Sequence, residues 1–178
     1  MQRLIQNLLE VSRIETGHAL FNPKWESLLR LLAKVYDKYN DYIEDNGLTF
    51  DIEAAVPAGL EISADPQKVW NVFDNIIYNT VRYTQNGGIT ITASTEGAFA
   101  KVTVTDTGCG IGAEHMPHVF KRFYKASPAR DAGDGESGLG LYIVKNVMEG
   151  CGGFVEIESE AGKGARVCLT FPARSGAE

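Results

Sequence analysis

The sequence predicts a two-layer α/β sandwich. Its mixed, mostly antiparallel sheet is covered by three helices on one face, and a further helix stands at the N-terminus. The strands predict the sheet. Ile89, Ile91 and Ala93 alternate with Thr90, Thr92 and Ser94. Ala100, Val102 and Val104 alternate with Lys101, Thr103 and Thr105, Val155 and Ile157 with Glu156 and Glu158, and Val167, Leu169 and Phe171 with Arg166 and Thr170. A period of two buries one face of a strand and leaves the other polar, so helices cover the sheet on one side only. Three stretches predict those helices, residues 25–46, 66–84 and 139–150, where apolar side chains recur at intervals of three and four.

Taken in order, residues 1–16 form an amphipathic helix with Ile5, Leu8 and Leu9 in its stripe, stopped by Gly17. Residues 18–23 are a short extended link. The helix over 25–46 turns Leu28, Leu29, Leu32, Val35, Tyr36 and Tyr39 inward and ends at Gly47. Short strands follow at 48–53 and 60–63. Asp65 and Pro66 cap the next helix, with the proline in its first turn. Asn86-Gly87-Gly88 and Glu96-Gly97 supply the turns around the strand over 89–95.

Composition excludes several classes. With 178 residues and 44% apolar content, the chain holds one packed domain plus an appendage. A net charge of −6 and no basic stripe argue against nucleic acid as the main partner. Cys109, Cys151 and Cys168 lack metal-ligand spacing and read as reduced thiols in a cytoplasmic setting. No apolar run approaches the ~20 residues of a membrane helix, and no signal peptide is recognisable. The expected location is cytoplasmic, with a membrane reached only through a longer parent protein.

The helix over 66–84 is unusual in its polar face. Val69, Trp70, Phe73, Ile76, Ile77, Thr80 and Val81 fall on one side; Asn71, Asn75, Asn79, Arg82 and Tyr83 gather opposite. Residues four apart stack on a helix, so Asn75 and Asn79 form a pair, and Arg82 continues the row. Asparagine is a mediocre helix former. An amide oxygen, however, can ligate a hard cation without cancelling the cation's charge. On this helix alone, an incidental polar face explains the pair equally well.

Two glycine-rich stretches follow. Residues 106–112 read DTGCGIG directly after a strand, and residues 138–141 read GLGL at the start of a helix. Asp106 shares parity with Val102 and Val104, so its carboxylate points toward the helix layer, where burial is costly without a partner. It can equally cap the Thr107-Gly108 turn. Gly108 and Gly110 permit close backbone approach. The helix opened by Gly138 and Gly140 suits an anion. Between the glycine stretches, residues 125–137 contain no large apolar side chain and are expected to be a mobile lid.

Taken together, these stretches resemble the nucleotide-binding boxes of sensor histidine kinases, within the ATPase superfamily that also holds gyrase and MutL-type proteins. The kinase pattern of Asn, three residues, Asn, two residues, Lys, Tyr, Thr is met by Asn75, Asn79, Arg82, Tyr83 and Thr84. Phe120, Phe123 and Tyr124 resemble the phenylalanine box, and residues 8–17 resemble the end of the second dimerisation helix. Order and spacing agree from Leu4 to Phe171.

The resemblance implies a domain plan: 1–17 as the end of a dimerisation helix, 18–24 as linker, 25–173 as the ATP-binding domain and 174–178 as tail. It implies ATP and Mg²⁺ as cofactors. Asn79 would hold Mg²⁺ and Asn75 would contact phosphate. Asp106 would read adenine, with Tyr83, Gly108, Gly110 and Ile111 around the nucleoside. Ser137, Gly138, Leu139, Gly140 and Leu141 would cradle phosphate, and Lys125 would meet the γ-phosphate, making Asn75 and Lys125 the catalytic pair. The implied partners are a response-regulator receiver domain and the dimerisation helices of a homodimer.

Arg82 stands where the family has Lys, Lys125 where it has Arg, and Glu136 where a common form has Gly. Two rival readings are a gyrase- or MutL-like ATPase and a degenerate docking module. The ATPases carry a catalytic Glu on the Asn helix; Asp74, before Asn75, falls off the nucleotide face. The family's acceptor histidine is followed by an acidic residue and then a proline. His18, His115 and His118 lack those neighbours, so the acceptor helix is expected to be absent from this chain.

Overall fold

The computed structural model describes residues 2–126 and 137–176. Its elements are α1 (Gln2–Glu15), β1 (Lys24–Ser27), α2 (Leu28–Asp45), β2 (Thr49–Ala54), β3 (Leu60–Ala64), α3 (Lys68–Tyr83), β4 (Gly88–Glu96), β5 (Phe99–Asp106), α4 (Gly140–Gly150), β6 (Phe154–Ser159) and β7 (Ala165–Ser175). The strands form one seven-stranded sheet in the order β1-β3-β7-β5-β4-β2, with β6 also on β7. Only β2 and β4 pair in parallel; the other pairings are antiparallel. The mixed, mostly antiparallel sandwich predicted from the alternation is therefore the fold.

The core lies between one sheet face and three helices. Leu28, Val35, Tyr39 and Ile43 of α2, Phe73, Ile76 and Ile77 of α3, and Ile143 and Val144 of α4 are almost fully buried. They meet Ile89, Ile91, Val102, Val104, Leu169 and Phe171 from the sheet, the residues that alternation assigned to the inner face. Burial of such side chains contributes about 1.5–3 kcal/mol each.

The helix predicted over 66–84 begins at Lys68, so Pro66 stands in the turn before it rather than in its first turn, and two further boundaries differ from expectation. The helix predicted over 25–46 begins at Leu28, because residues 24–27 pair with β3 as an edge strand and Ser27 Oγ accepts the Arg30 N–H at 3.4 Å. Trp25 thus leaves the helix and lies under the Arg174 guanidinium, 4.2 Å from its ring centre. The tail predicted from residue 174 is partly strand: Arg174 and Ser175 pair with Glu61 and Leu60.

Asp65 starts α3. Its Oδ1 accepts the N–H groups of Gln67 and Lys68 at 2.9 and 3.1 Å, its Oδ2 accepts that of Asn22 at 2.8 Å, and its carbonyl accepts that of Val69. Burial pushes the Asp65 pKa up, but the three N–H groups and the Lys68 ammonium outweigh it, so the net shift is downward from 3.8. Such a group stabilises the fold above its unfolded pKa, and that stability is lost as pH falls through the folded value. Asp65→Ala should cost about 2 kcal/mol at pH 7, which lowers the melting temperature by about 4–8 °C. The deficit relative to wild type should shrink below pH 3.8. A thermal scan showing no deficit at pH 7 would remove Asp65 as the cap.

Helix α1 docks on the domain, but not through its expected stripe. Val11 is buried, Glu10 pairs with Lys68, and Glu15 pairs with Arg122. The Lys68 ammonium also lies over the Phe21 ring at 5.3 Å. Ile5, Leu8 and Leu9, the apolar stripe read from the sequence, remain exposed. No described helix is long and apolar enough to cross a membrane.

Candidate functional site

Beyond the ends of the buried layer, the C-terminal half of α3, the start of α4 and the end of β5 enclose a cleft of about 390 Å³. That volume lies in the range of small-molecule sites. Its walls come from four separated stretches of chain.

The first wall is α3. Asn75 is 2% exposed, and its Nδ2 donates to the Asn71 carbonyl at 2.8 Å. Its Oδ1 lies where α4 begins: a Cβ on Gly140 would stand 2.9 Å from it. A side chain at 140 would therefore push the two helices apart. Asn79, one turn on, lines the cleft half-buried, and its amide has no hydrogen-bond partner among the described residues. Arg82 and Tyr83 form the rim. Asp74 is turned away, its Oδ1 accepting from Lys38 Nζ at 2.9 Å and from Tyr39 OH at 2.8 Å.

The second wall ends at Asp106, 9% exposed. Its Oδ1 accepts the N–H of Gly108 at 2.8 Å and of Ala165 at 3.2 Å, so the turn-capping role is real. Both donors use one oxygen, and the carboxylate still lines the cleft. Burial raises its pKa above the ordinary value, more than those two N–H groups lower it. Thr84 is buried beside it with no partner for Oγ1 among the described residues. A Cβ on Gly108 would lie 2.9 Å from both Thr84 Oγ1 and Asp106 Oδ1, so a hydroxyl and a carboxylate converge there.

The third wall is the β6–β7 turn, which supports the first glycine stretch. Gly162 N–H donates to the Cys109 carbonyl at 2.7 Å, and Ile111 N–H donates to Ser159 Oγ at 2.8 Å. Gly110 sits at φ 67°, and a Cβ there would come within 2.0 Å of the Glu160 carbonyl oxygen. Only glycine fits. Ile157, Ala161, Ala165 and Val167 give this side an apolar surface that suits a planar base.

The fourth wall holds Lys125, Ser137, Gly138, Gly140 and Leu141. Lys125 and Arg82 make no ion pair among the described residues, and both cations border the cleft of an acidic chain. Residues 127–136 of the expected lid, Glu136 included, lie outside the described residues.

Of the residues expected at the site, Asn75, Asn79, Arg82, Tyr83, Asp106, Gly110, Ile111, Lys125, Ser137, Gly138, Gly140 and Leu141 meet at this cleft. Leu139 and Gly108 do not line it. Leu139 is fully buried in the core, and Gly108 is packed beneath the Tyr83 carbonyl. Phe123, one of the residues that resemble the phenylalanine box, is 62% exposed. Sequence reasoning missed the β6–β7 turn and Asn7 of α1, which also borders the cleft. The Gly162-Lys163-Gly164 run was the available signal for the turn.

A family model described as histidine kinase-, DNA gyrase B- and HSP90-like ATPase matches residues 64–175. Sensor protein SrrB of Staphylococcus aureus strain NCTC 8325 / PS 47 is 34% identical over 173 residues, covering 97% of this chain. The chain spans 29% of the length of that relative. Among solved structures, full-length ShkA in complex with AMPPNP superposes with a TM-score of 0.82 at 25% identity, over 98% of this chain and 36% of that one. The Acinetobacter baumannii histidine kinase AdeS, at 18% identity over 96% of this chain and 77% of its own, shares the fold with a TM-score of 0.76. The match across α3, both glycine stretches and strands β4 to β7, with its homology to sensor histidine kinases, shows that the chain belongs to the histidine kinase-, DNA gyrase B- and HSP90-like ATPase family.

Proposed function

We propose that this chain is the ATP-binding catalytic part of a sensor histidine kinase. It moves the γ-phosphoryl group of Mg-ATP to a histidine on a dimerisation helix, for relay to an aspartate of a response-regulator receiver domain. The observation that carries this reading is the meeting of four chemistries in one cleft: the α3 amides, the Asp106 carboxylate, the opening of α4 and the Lys125 ammonium.

Each has a task. Asp106 accepts from the exocyclic amine of adenine while Ile157, Ala161 and Val167 face the ring. The first turn of α4 offers N–H groups to phosphate, and Asn75 holds that turn in place. Lys125 meets the terminal phosphate as a point charge. The free Asn79 amide fits Mg²⁺, which takes oxygen ligands, keeps several waters and shares phosphate oxygens. Bound there, the ion neutralises phosphate charge. Phosphoryl transfer depends mainly on such positioning and neutralisation.

The gyrase-like alternative needs a water-activating acid on α3. Its nearest candidate, Asp74, is held by Lys38 and Tyr39 outside the cleft. The exposed stripe of Ile5, Leu8 and Leu9 on α1 is the surface for the dimerisation helices of a homodimer. The setting is cytoplasmic, with any membrane contact through a longer parent.

The test is labelling with γ-labelled ATP. The chain alone should bind ATP and acquire no phosphohistidine on His18, His115 or His118. A separately supplied dimerisation helix carrying the acceptor histidine should become labelled. Acid-labile label on the lone chain, or none on the helix, would contradict the proposal.

A further inference from the structure

Between the first glycine stretch and the lid, the chain climbs by a ladder of three-residue turns. His115 N–H donates to the Gly112 carbonyl, His118 N–H to His115, Lys121 N–H to His118 and Tyr124 N–H to Lys121. One side-chain bond then closes the climb on itself. His115 Nδ1 lies 2.8 Å from Tyr124 OH. The phenol both donates and accepts, so either imidazole tautomer makes the bond. His118 packs edge-on against the same ring, with centroids 5.4 Å apart. Two imidazoles therefore hold one phenol.

What the phenol holds in turn is the phosphate end of the cleft. Phe123, just before it, is the one non-glycine residue with positive φ among those described, at 60°. The left-handed region costs a non-glycine residue roughly 1 kcal/mol or more and persists only where surroundings enforce it. Gly138 rests directly on the backbone of residues 123 and 124: a Cβ there would stand 2.6 Å from the Phe123 carbonyl carbon and 2.8 Å from the Tyr124 backbone carbonyl oxygen. The next residue after Tyr124 is Lys125. One tyrosine thus sets the place of the ammonium on one side and of the second glycine stretch on the other.

We infer that His115 and Tyr124 form a positioning pair that aims Lys125 and Gly138 at the terminal phosphate and so sets the preference for nucleoside triphosphate over diphosphate. This rests on the proposed phosphate end of the cleft, and Lys125→Ala tests that reading separately. The pair acts on the residues that touch the γ-phosphate, not on the base.

Mg-ATP and Mg-ADP affinities should be measured by calorimetry for the intact chain and for Lys125→Ala, Tyr124→Phe, His115→Ala, His115→Asn and the His115→Ala/Tyr124→Phe double variant. Lys125→Ala should cut the ATP-over-ADP preference by about tenfold, the effect of losing a charged hydrogen bond. Tyr124→Phe and His115→Ala should each cut it by about fivefold and leave ADP affinity within about twofold, as loss of aim at a single group predicts. The double variant should be no worse than either single one, because both remove the same bond. His115→Asn, whose amide reaches the Nδ1 position, should recover most of the preference.

Equal losses for ATP and ADP would show a merely structural role and overturn the inference, as would additive losses in the double variant. If Lys125→Ala leaves the preference intact, the phosphate-end reading fails first and the inference falls with it. Tyr124→Phe removes one oxygen and keeps the test decisive should His115→Ala unfold.

Discussion

Asn79→Ala should weaken Mg²⁺-dependent ATP binding by at least about tenfold, in line with the loss of a metal-supporting group, and change metal-free binding by less than about twofold. The basis is that this amide lines the cleft and is bound to no described protein group. Truncating it therefore breaks no hydrogen bond among the described residues, and polar positions in contact with solvent tolerate alanine within about 0.5 kcal/mol. Alanine is also the better helix former. Asn75 is the opposite case, since its amide is buried, bonded to Asn71 and pressed against Gly140. Its removal would disturb both helices, so only Asn79 separates metal binding from folding. Nucleotide titrations with and without Mg²⁺ decide the matter, and equal losses in both would remove Asn79 as the ligand.

The contrast between those two amides shows where sequence reading reaches its limit. Helical spacing put Asn75 and Asn79 on one face, and both are there. Spacing alone could not say that one is pressed against the start of a second helix, because that depends on a contact with Gly140, far along the chain. Alternation located Asp106, Ile157 and Val167 on the inner face of the sheet. It could not show that the covering helices stop short of them, leaving that face open as a cleft wall. Trp25 was assigned to α2 because Trp25, Leu28, Leu29 and Leu32 fit a helical period as well as any. What pulls residues 24–27 into the sheet is pairing with β3, across a distance in sequence that no local pattern encodes. Leu139 lies between two glycines that border the cleft, yet its side chain points to the core. A motif marks the backbone there and says little of the side chain.

Asp106→Asn should abolish discrimination between adenine and guanine nucleotides, a loss of about a hundredfold in preference. The Asn Oδ1 can still accept from Gly108 and Ala165, so the turn survives. The change falls on the other atom, where an acceptor becomes a donor that repels the adenine amine and suits the guanine carbonyl. Competition between ATP and GTP measures it, and unchanged preference would sink the assignment.

The same variant carries a stability signature. Burial raises the Asp106 pKa in the folded state above 3.8. The folded chain therefore keeps this proton to higher pH than the unfolded chain does. Asp106's contribution is full below 3.8 and is lost as pH rises through the folded value. At neutral pH the ionised carboxylate is a cost that Asn does not carry. Asp106→Asn should melt higher than wild type at pH 7, with the gap closing in acid; a lower melting temperature at pH 7 would contradict the burial argument.

Helix α1 has two unlike sides, and that gives it a mechanical character. One side is tied at two points, Glu10 to Lys68 at the foot of α3 and Glu15 to Arg122 in the stretch between the two glycine runs. The other presents Ile5, Leu8 and Leu9 as a greasy handle. A stiff rod gripped by its handle and riveted at its far side turns torque into displacement at the rivets. Twisting α1 about its axis would pull at once on the first turn of α3, the helix that carries the amides, and on Arg122. Nothing need touch the nucleotide for its surroundings to be re-aimed.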